Sequence, residues 1–138
     1  MKDDPLAGGD LSGIWRSRYH YHSDSRDRDL TGEHDMVLSR HGDRLSGASL
    51  PSEEGSKLTL NLTVDGRVVT GTWREVTAAA GHYQGATFHG AMQLVVSEDG
   101  TAMSGRWVGF DRHLAVDTDT WELVRPTRGN DQRRSTSR

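Results

Sequence analysis

The sequence predicts a single all-β domain: one closed, antiparallel, up-and-down barrel of about eight strands. Three observations point there. A short signature, Ser/Thr-Gly-x-Trp, recurs along the chain. Leu11-Ser12-Gly13-Ile14-Trp15, Val69-Thr70-Gly71-Thr72-Trp73 and Met103-Ser104-Gly105-Arg106-Trp107 carry it, and Leu45-Ser46-Gly47-Ala48-Ser49 is a weaker copy without the tryptophan. Internal repeats of this kind mark repeated structural units. Gly42, Gly66 and Gly100 each stand five residues before a signature glycine. Asp65-Gly66 and Asp99-Gly100 lie between apolar runs, the strongest short hairpin signal, and His41-Gly42-Asp43 is a looser version. Finally, no period of 3.6 runs for three turns, so little helix is expected.

Strands follow in order at 12–22, 30–41, 44–50, 57–64, 67–76, 85–97, 101–110 and 118–125. The first opens with the signature and places Trp15, Ser17, Tyr19 and Tyr21 on one face, with Arg16, Arg18, His20 and His22 on the other. The second and third flank the His41-Gly42-Asp43 turn. The fourth alternates cleanly, with Leu58, Leu60, Leu62 and Val64 against Lys57, Thr59, Asn61 and Thr63. In the fifth, Gly71, Trp73 and Glu75 share a face. In the sixth, Phe88, Gly90, Met92 and Leu94 form the apolar face, which turns His89 outward. The seventh repeats the signature and the eighth carries Trp121. A meander of this length escapes its unpaired edges best by closing on itself. Gly13, Gly47, Gly71 and Gly105 are structural in this reading, set at one level where the barrel curls. Trp15, Trp73 and Trp107 then form an internal floor with Trp121 beside them. The loops 23–29 and 77–84 connect in the same sense of the meander and are expected at one open end, the mouth.

Totals bound the rest. At 138 residues the chain suits one domain, with residues 1–10 a flexible N-terminus, 11–125 the barrel and 126–138 a basic, solvated tail. A net charge of −3 exerts no general pull toward nucleic acid or anionic membrane. With no cysteine, disulfides and thiolate metal sites are excluded. Residues 1–10 hold no apolar stretch of the signal-peptide kind and no run reaches membrane-span length, so a cytoplasmic location is expected.

Gly13-x-Trp15 near the start, with Arg125 after the last strand, resembles the calycin pattern of lipocalins and avidins. The resemblance implies that Arg125 lies over the Trp15 face and plugs the closed end, a cation–π contact of roughly 0.5–2 kcal/mol. The repeat on alternate strands is more avidin-like. The stretches LSGIWRSRYHY, TGEHDMVLSRHGDRLSGASLP, LTLNLTVDGRVVTGTWRE, GHYQGATFHGAMQL and MSGRWVGF, with WEL near the end, resemble the C-terminal domain of actinobacterial helix-turn-helix regulators of the XRE type. No helix-turn-helix precedes residue 11 in this sequence, so DNA binding is not carried over.

The chemistry centres on Glu75. The register that buries Trp73 also turns Glu75 inward, and a buried carboxylate costs several kcal/mol unless paired. Its candidate partners are His34, His89, Tyr19, Tyr83 and Arg18. Above an aromatic floor, Glu75, Tyr19 and a histidine would orient a small ligand. The expected lining is Trp15, Tyr19, His34, Trp73, Glu75, Tyr83, Phe88, Met92, Trp107 and Trp121. His20-x-His22 is the only close metal-like pair and lacks a third ligand, and Asp24, Asp27 and Asp29 lack calcium-loop spacing, so neither metal nor cofactor is expected. Three functions stay open. One is a binding barrel for a small apolar or aromatic molecule, as sensor or carrier. Another is a cofactor-independent isomerase or cyclase of specialised metabolism, with Glu75 as general acid or base and Tyr19 or Tyr83 as hydrogen-bond donor. The third is a regulatory domain that meets a protein partner or a second copy of itself.

Overall fold

The computed structural model describes residues 10–23, 27–52, 55–81, 83, 85–111 and 113–125. The expectations for residues 1–9 and for the tail at 126–138 lie outside that set. Eight strands follow one another: β1 (Gly13–Ser23), β2 (Arg28–His41), β3 (Arg44–Ser49), β4 (Lys57–Asp65), β5 (Val68–Val76), β6 (Thr87–Val96), β7 (Ala102–Phe110) and β8 (Val116–Val124). Each pairs antiparallel with its neighbours in sequence, and β8 pairs with β1, so the sheet is a closed up-and-down barrel. There is no helix among the described residues, and none long and apolar enough to cross a membrane. The predicted strand ends are displaced by at most two residues.

Alternation decides which side chains enter. Along β4, Leu58, Leu60, Leu62 and Val64 are buried while Lys57, Thr59, Asn61 and Thr63 are exposed. The end carrying the β2–β3, β4–β5 and β6–β7 turns is filled solid. Trp15, Leu38, Leu45, Val69, Leu94, Met103 and Leu123 are all but fully buried there. Each such side chain contributes roughly 1.5–3 kcal/mol by leaving water. Two signature glycines sit where strands approach too closely for a side chain. A Cβ on Gly71 would overlap the Asn61 carbonyl, and one on Gly105 the Gln93 carbonyl.

Arg125 packs over Trp15 at this end. Its guanidinium carbon lies 4.7 Å from the centroid of the Trp15 ring. Its Nη1 donates to the carbonyls of Asp10 and Ser12 at 3.1 and 3.3 Å. Trp15 Nε1 donates to the Leu11 carbonyl at 2.9 Å.

The signature copies do not share one level. Gly13 lies opposite Leu38, and the same row continues through Gly47, Leu60, Trp73, Gly90, Gly109 and Asp117. Carrying the Tyr19–Trp121 register on to Asp117 returns the row to Ser23, ten residues further along β1. Closing a barrel requires such a stagger. It lowers the first copy by about one pleat, so Trp15 sits beneath Trp73 and Trp107 rather than beside them.

Candidate functional site

Above the packed end the barrel is hollow. A cavity of about 560 Å³ opens at the end that carries the β1–β2, β5–β6 and β7–β8 connections. The chain has four tryptophans, three tyrosines and two phenylalanines. Eight of these nine rings line the cavity: Tyr19, Tyr21, Trp73, Tyr83, Phe88, Trp107, Phe110 and Trp121. Only Trp15 is elsewhere. The rings follow from strand periodicity, since Tyr19 and Tyr21 alternate inward from Trp15, and Phe88 shares the inner face of Met92 and Leu94.

The tryptophans form one cluster. Trp73 meets Trp107 edge-on, with centroids 5.6 Å apart and planes at 87°, and lies 6.0 Å from Trp121 at 59°. Trp121 also packs on Tyr19 at 4.8 Å. Each indole N–H is spent on the wall. Trp121 Nε1 donates to Ser17 Oγ at 2.8 Å, Trp107 Nε1 to the His20 carbonyl at 3.0 Å and Trp73 Nε1 to the Ala91 carbonyl at 3.2 Å. Ring surface rather than N–H donors is what these residues offer the cavity.

Glu75 is the polar group at depth, its side chain 17% exposed. Tyr19 Oη donates to Glu75 Oε2 at 2.8 Å, and His34 Nε2 lies 3.6 Å from the same oxygen. The His34 ring stacks on Tyr19, 6.1 Å apart at 14°. Tyr19 can take this pose because β2 has Gly32 beneath it, where a Cβ would overlap the phenol ring. Of the five partners expected for Glu75, Tyr19 and His34 are therefore present. His89 and Arg18 point outward; Arg18 Nε lies 3.8 Å from Glu33. Tyr83 bonds elsewhere: its Oη and Ser23 Oγ are 2.6 Å apart, tying the β5–β6 connection to the end of β1. Tyr83 also packs edge-on against Phe88 at 5.5 Å. Ser23 and Tyr83, one from each of the loops expected at the mouth, thus meet there.

Among the predicted lining residues, Tyr19, Trp73, Glu75, Tyr83, Phe88, Trp107 and Trp121 reach the cavity. Trp15 lies in the packed floor, Met92 is buried opposite Gly71 and Trp107, and His34 stands behind Tyr19. The stagger accounts for Trp15 and the bulk of Tyr19 for His34. The expected lining missed a second set: Tyr21, His22, Ser23, Leu58, Thr77, Phe110, Asp111, His113 and Asp117. Counting back in twos from Trp121 would have found Asp117. Asp111 shapes the β7–β8 turn, its Oδ1 accepting from the backbone N–H groups of His113 and Ala115 at 2.8 and 2.9 Å.

Charge is uneven. Among the described residues the lining holds three carboxylates, Glu75, Asp111 and Asp117, and no lysine or arginine. The arginines of β1 lie outside, where Arg16 bonds Glu33 at 2.7 Å and Asp35 at 3.0 Å and holds the Glu33 carboxyl below its usual range. His20 Nδ1 meets Thr31 Oγ1 at 3.1 Å and His22 Nδ1 meets Asp29 Oδ1 at 3.0 Å. Among the described residues no three His, Asp or Glu side chains are grouped to hold a metal ion. No protein-family model matches the chain, and no curated protein sequence matches it either.

Proposed function

We propose that the barrel binds a small apolar or aromatic molecule in the cavity above Trp15, as a sensor or carrier in the cytoplasm. One observation carries this reading: eight of the nine Phe, Tyr and Trp rings surround an open cavity instead of filling it. A barrel of eight strands can be packed shut by its own side chains or can hold one small ligand. This one is packed shut only at its lower end. A volume of about 560 Å³ falls in the range of drug-sized pockets, and aromatic walls with a few placed polar groups are their usual lining. The resemblance to the C-terminal domain of XRE-type regulators favours the sensor role.

Tryptophan emission tests it directly. Trp73, Trp107 and Trp121 touch the cavity and Trp15 does not. Titration with a panel of apolar and aromatic metabolites should shift or quench most of the emission for at least one compound. A panel-wide lack of response, with the apolar dye N-phenylnaphthylamine also excluded, would defeat the proposal.

The Tyr19–Glu75 bond favours a second reading, a cofactor-independent isomerase or cyclase. A carboxylate and a phenol at the base of an apolar cavity can exchange a proton with a bound substrate that the walls hold in a reactive pose. Any binder from the panel should then be converted by the protein, and Glu75→Gln should abolish the conversion. Unchanged turnover would remove Glu75 from the chemistry.

A further inference from the structure

We infer that the cavity's ligand is an organic cation: a protonated amine or quaternary ammonium on an apolar or aromatic body. The inference rests on the binding reading above and adds the charge of what is bound. Two independent features of the lining agree. One is the ring faces. Around Trp73 the planes of Trp107 and Trp121 are inclined by 87° and 59°, so the three indoles form walls rather than a flat stack. Their N–H groups are committed to Ser17, Ala91 and His20, so the part of each indole that reaches the cavity offers ring surface rather than a donor. Walls of this kind attract cations through the ring quadrupole, best of all with indole.

The other feature is charge. Glu75 lies at depth and Asp111 and Asp117 lie nearer the mouth, with no lysine or arginine among the described lining residues. A low-dielectric wall strengthens each of these charges toward an incoming cation. Among the described residues Glu75 accepts its hydrogen bond from a neutral phenol, that of Tyr19. Its other neighbour, His34, is buried behind Tyr19 and outside the lining. A ligand cation would therefore supply counter-charge from the cavity side. An anionic ligand would meet repulsion from three carboxylates, and a neutral one would gain nothing from their charge.

Three probes with a common body decide the matter: phenylbutyltrimethylammonium, phenylbutanol and phenylbutanoate, titrated by calorimetry and tryptophan emission. The cation should bind about tenfold more tightly than the alcohol, a preference of the size that desolvated cation–π contacts provide, and the anion should bind least. Raising the salt concentration should erode the cation's advantage. Glu75→Gln should cut the cation-to-alcohol ratio most, and Asp117→Asn should cut it less. Asp117 is at the rim and half-exposed, so this second variant keeps the test alive should the first fail to fold. Binding of all three probes with equal affinity, or preference for the anion, overturns the inference and leaves the binding reading standing. A ratio unmoved by both variants and by salt does the same. Failure of every probe to bind overturns both.

Discussion

Tyr19→Phe removes one oxygen and, with it, the hydrogen bond to Glu75 at 2.8 Å. Its consequence can be worked out beforehand. Hydrogen bonds to charged groups contribute about 1.5–3 kcal/mol net, at the upper end where the acceptor is left in low dielectric. Glu75 is 17% exposed and, among the described residues, keeps only His34 within 4 Å as an ionic neighbour, at 3.6 Å. The ring itself is retained, so packing on Gly32, His34 and Trp121 is unchanged. A body of about 115 residues unfolds with an entropy of about 0.24 kcal/mol/K, so the midpoint should fall by about 6–12 °C. The assay is thermal and urea unfolding of four proteins: wild type, Tyr19→Phe, Glu75→Gln and the double variant. A charge-assisted bond is roughly twice as strong as a neutral one, so the phenol should matter about half as much once Glu75 is Gln. Two results would refute the reasoning. One is a cost below about 0.5 kcal/mol for Tyr19→Phe. The other is an equal cost in both backgrounds, which would mean the phenol and the carboxylate are not coupled.

Three further predictions concern the frame. Arg125→Ala should cost about 1–2 kcal/mol through the lost contact with Trp15 and the lost bonds to Asp10 and Ser12, and should move Trp15 emission to longer wavelength; urea midpoints and emission spectra check it. Gly71→Ala should cost about 2–3 kcal/mol, because its Cβ meets the Asn61 backbone, whereas Gly47→Ala meets only the movable end of Leu38 and should cost less; paired urea titrations compare them. Hydrogen bonds from Ser97 and Thr101 hold the Asp99 carboxyl below the usual aspartate value, so it contributes stability above that ordinary value and loses it as pH falls toward the lower folded value. The difference in melting temperature between wild type and Asp99→Ala should therefore shrink as the pH drops below about 4, and a difference constant from pH 7 to 2 would count against it.

The closed barrel could be read from the residues because each of its determinants is local. Asp-Gly pairs fix tight turns, and alternation such as Leu58-Thr59-Leu60-Asn61 fixes the inner face one strand at a time. Glu75 was legible for the same reason: two residues from Trp73 on one strand is a statement about pleat alone. What escaped the sequence depends on all eight registers at once. The stagger of ten residues is a property of the closed sheet, and it carries Trp15 below the other signature tryptophans. That is why one tryptophan of the repeat meets Arg125 while two face a cavity. Asp117 escaped for a different reason. The sequence pattern starts the eighth strand at 118, one residue too late for Asp117, yet β7 supplies a ready ladder from Phe110 back to Arg106 that draws Val116 and Asp117 into the sheet.

The seam between β1 and β8 explains how one barrel can be sealed below and open above. Among the described residues its pairing runs only from Arg16–Val124 to Tyr19–Trp121. Beyond Tyr19 the two strands part, and the carbonyl of His20 is left without β8. A strand edge with unpaired polar groups beside an apolar cavity would be costly. Trp107 answers this by donating its indole N–H to that carbonyl at 3.0 Å, from two strands away. The ring that spans the gap is thus both clasp and cavity wall. Asp117 of β8 and Tyr21 and His22 of β1 line the cavity where the pairing is missing. A ladder continued to the rim would bring these strands together where the carboxylate and the phenol ring now face the cavity. The short seam is therefore part of what makes the site: it gives up a few backbone bonds at one edge, keeps the His20 carbonyl satisfied through a tryptophan, and leaves room between aromatic rings and acidic groups.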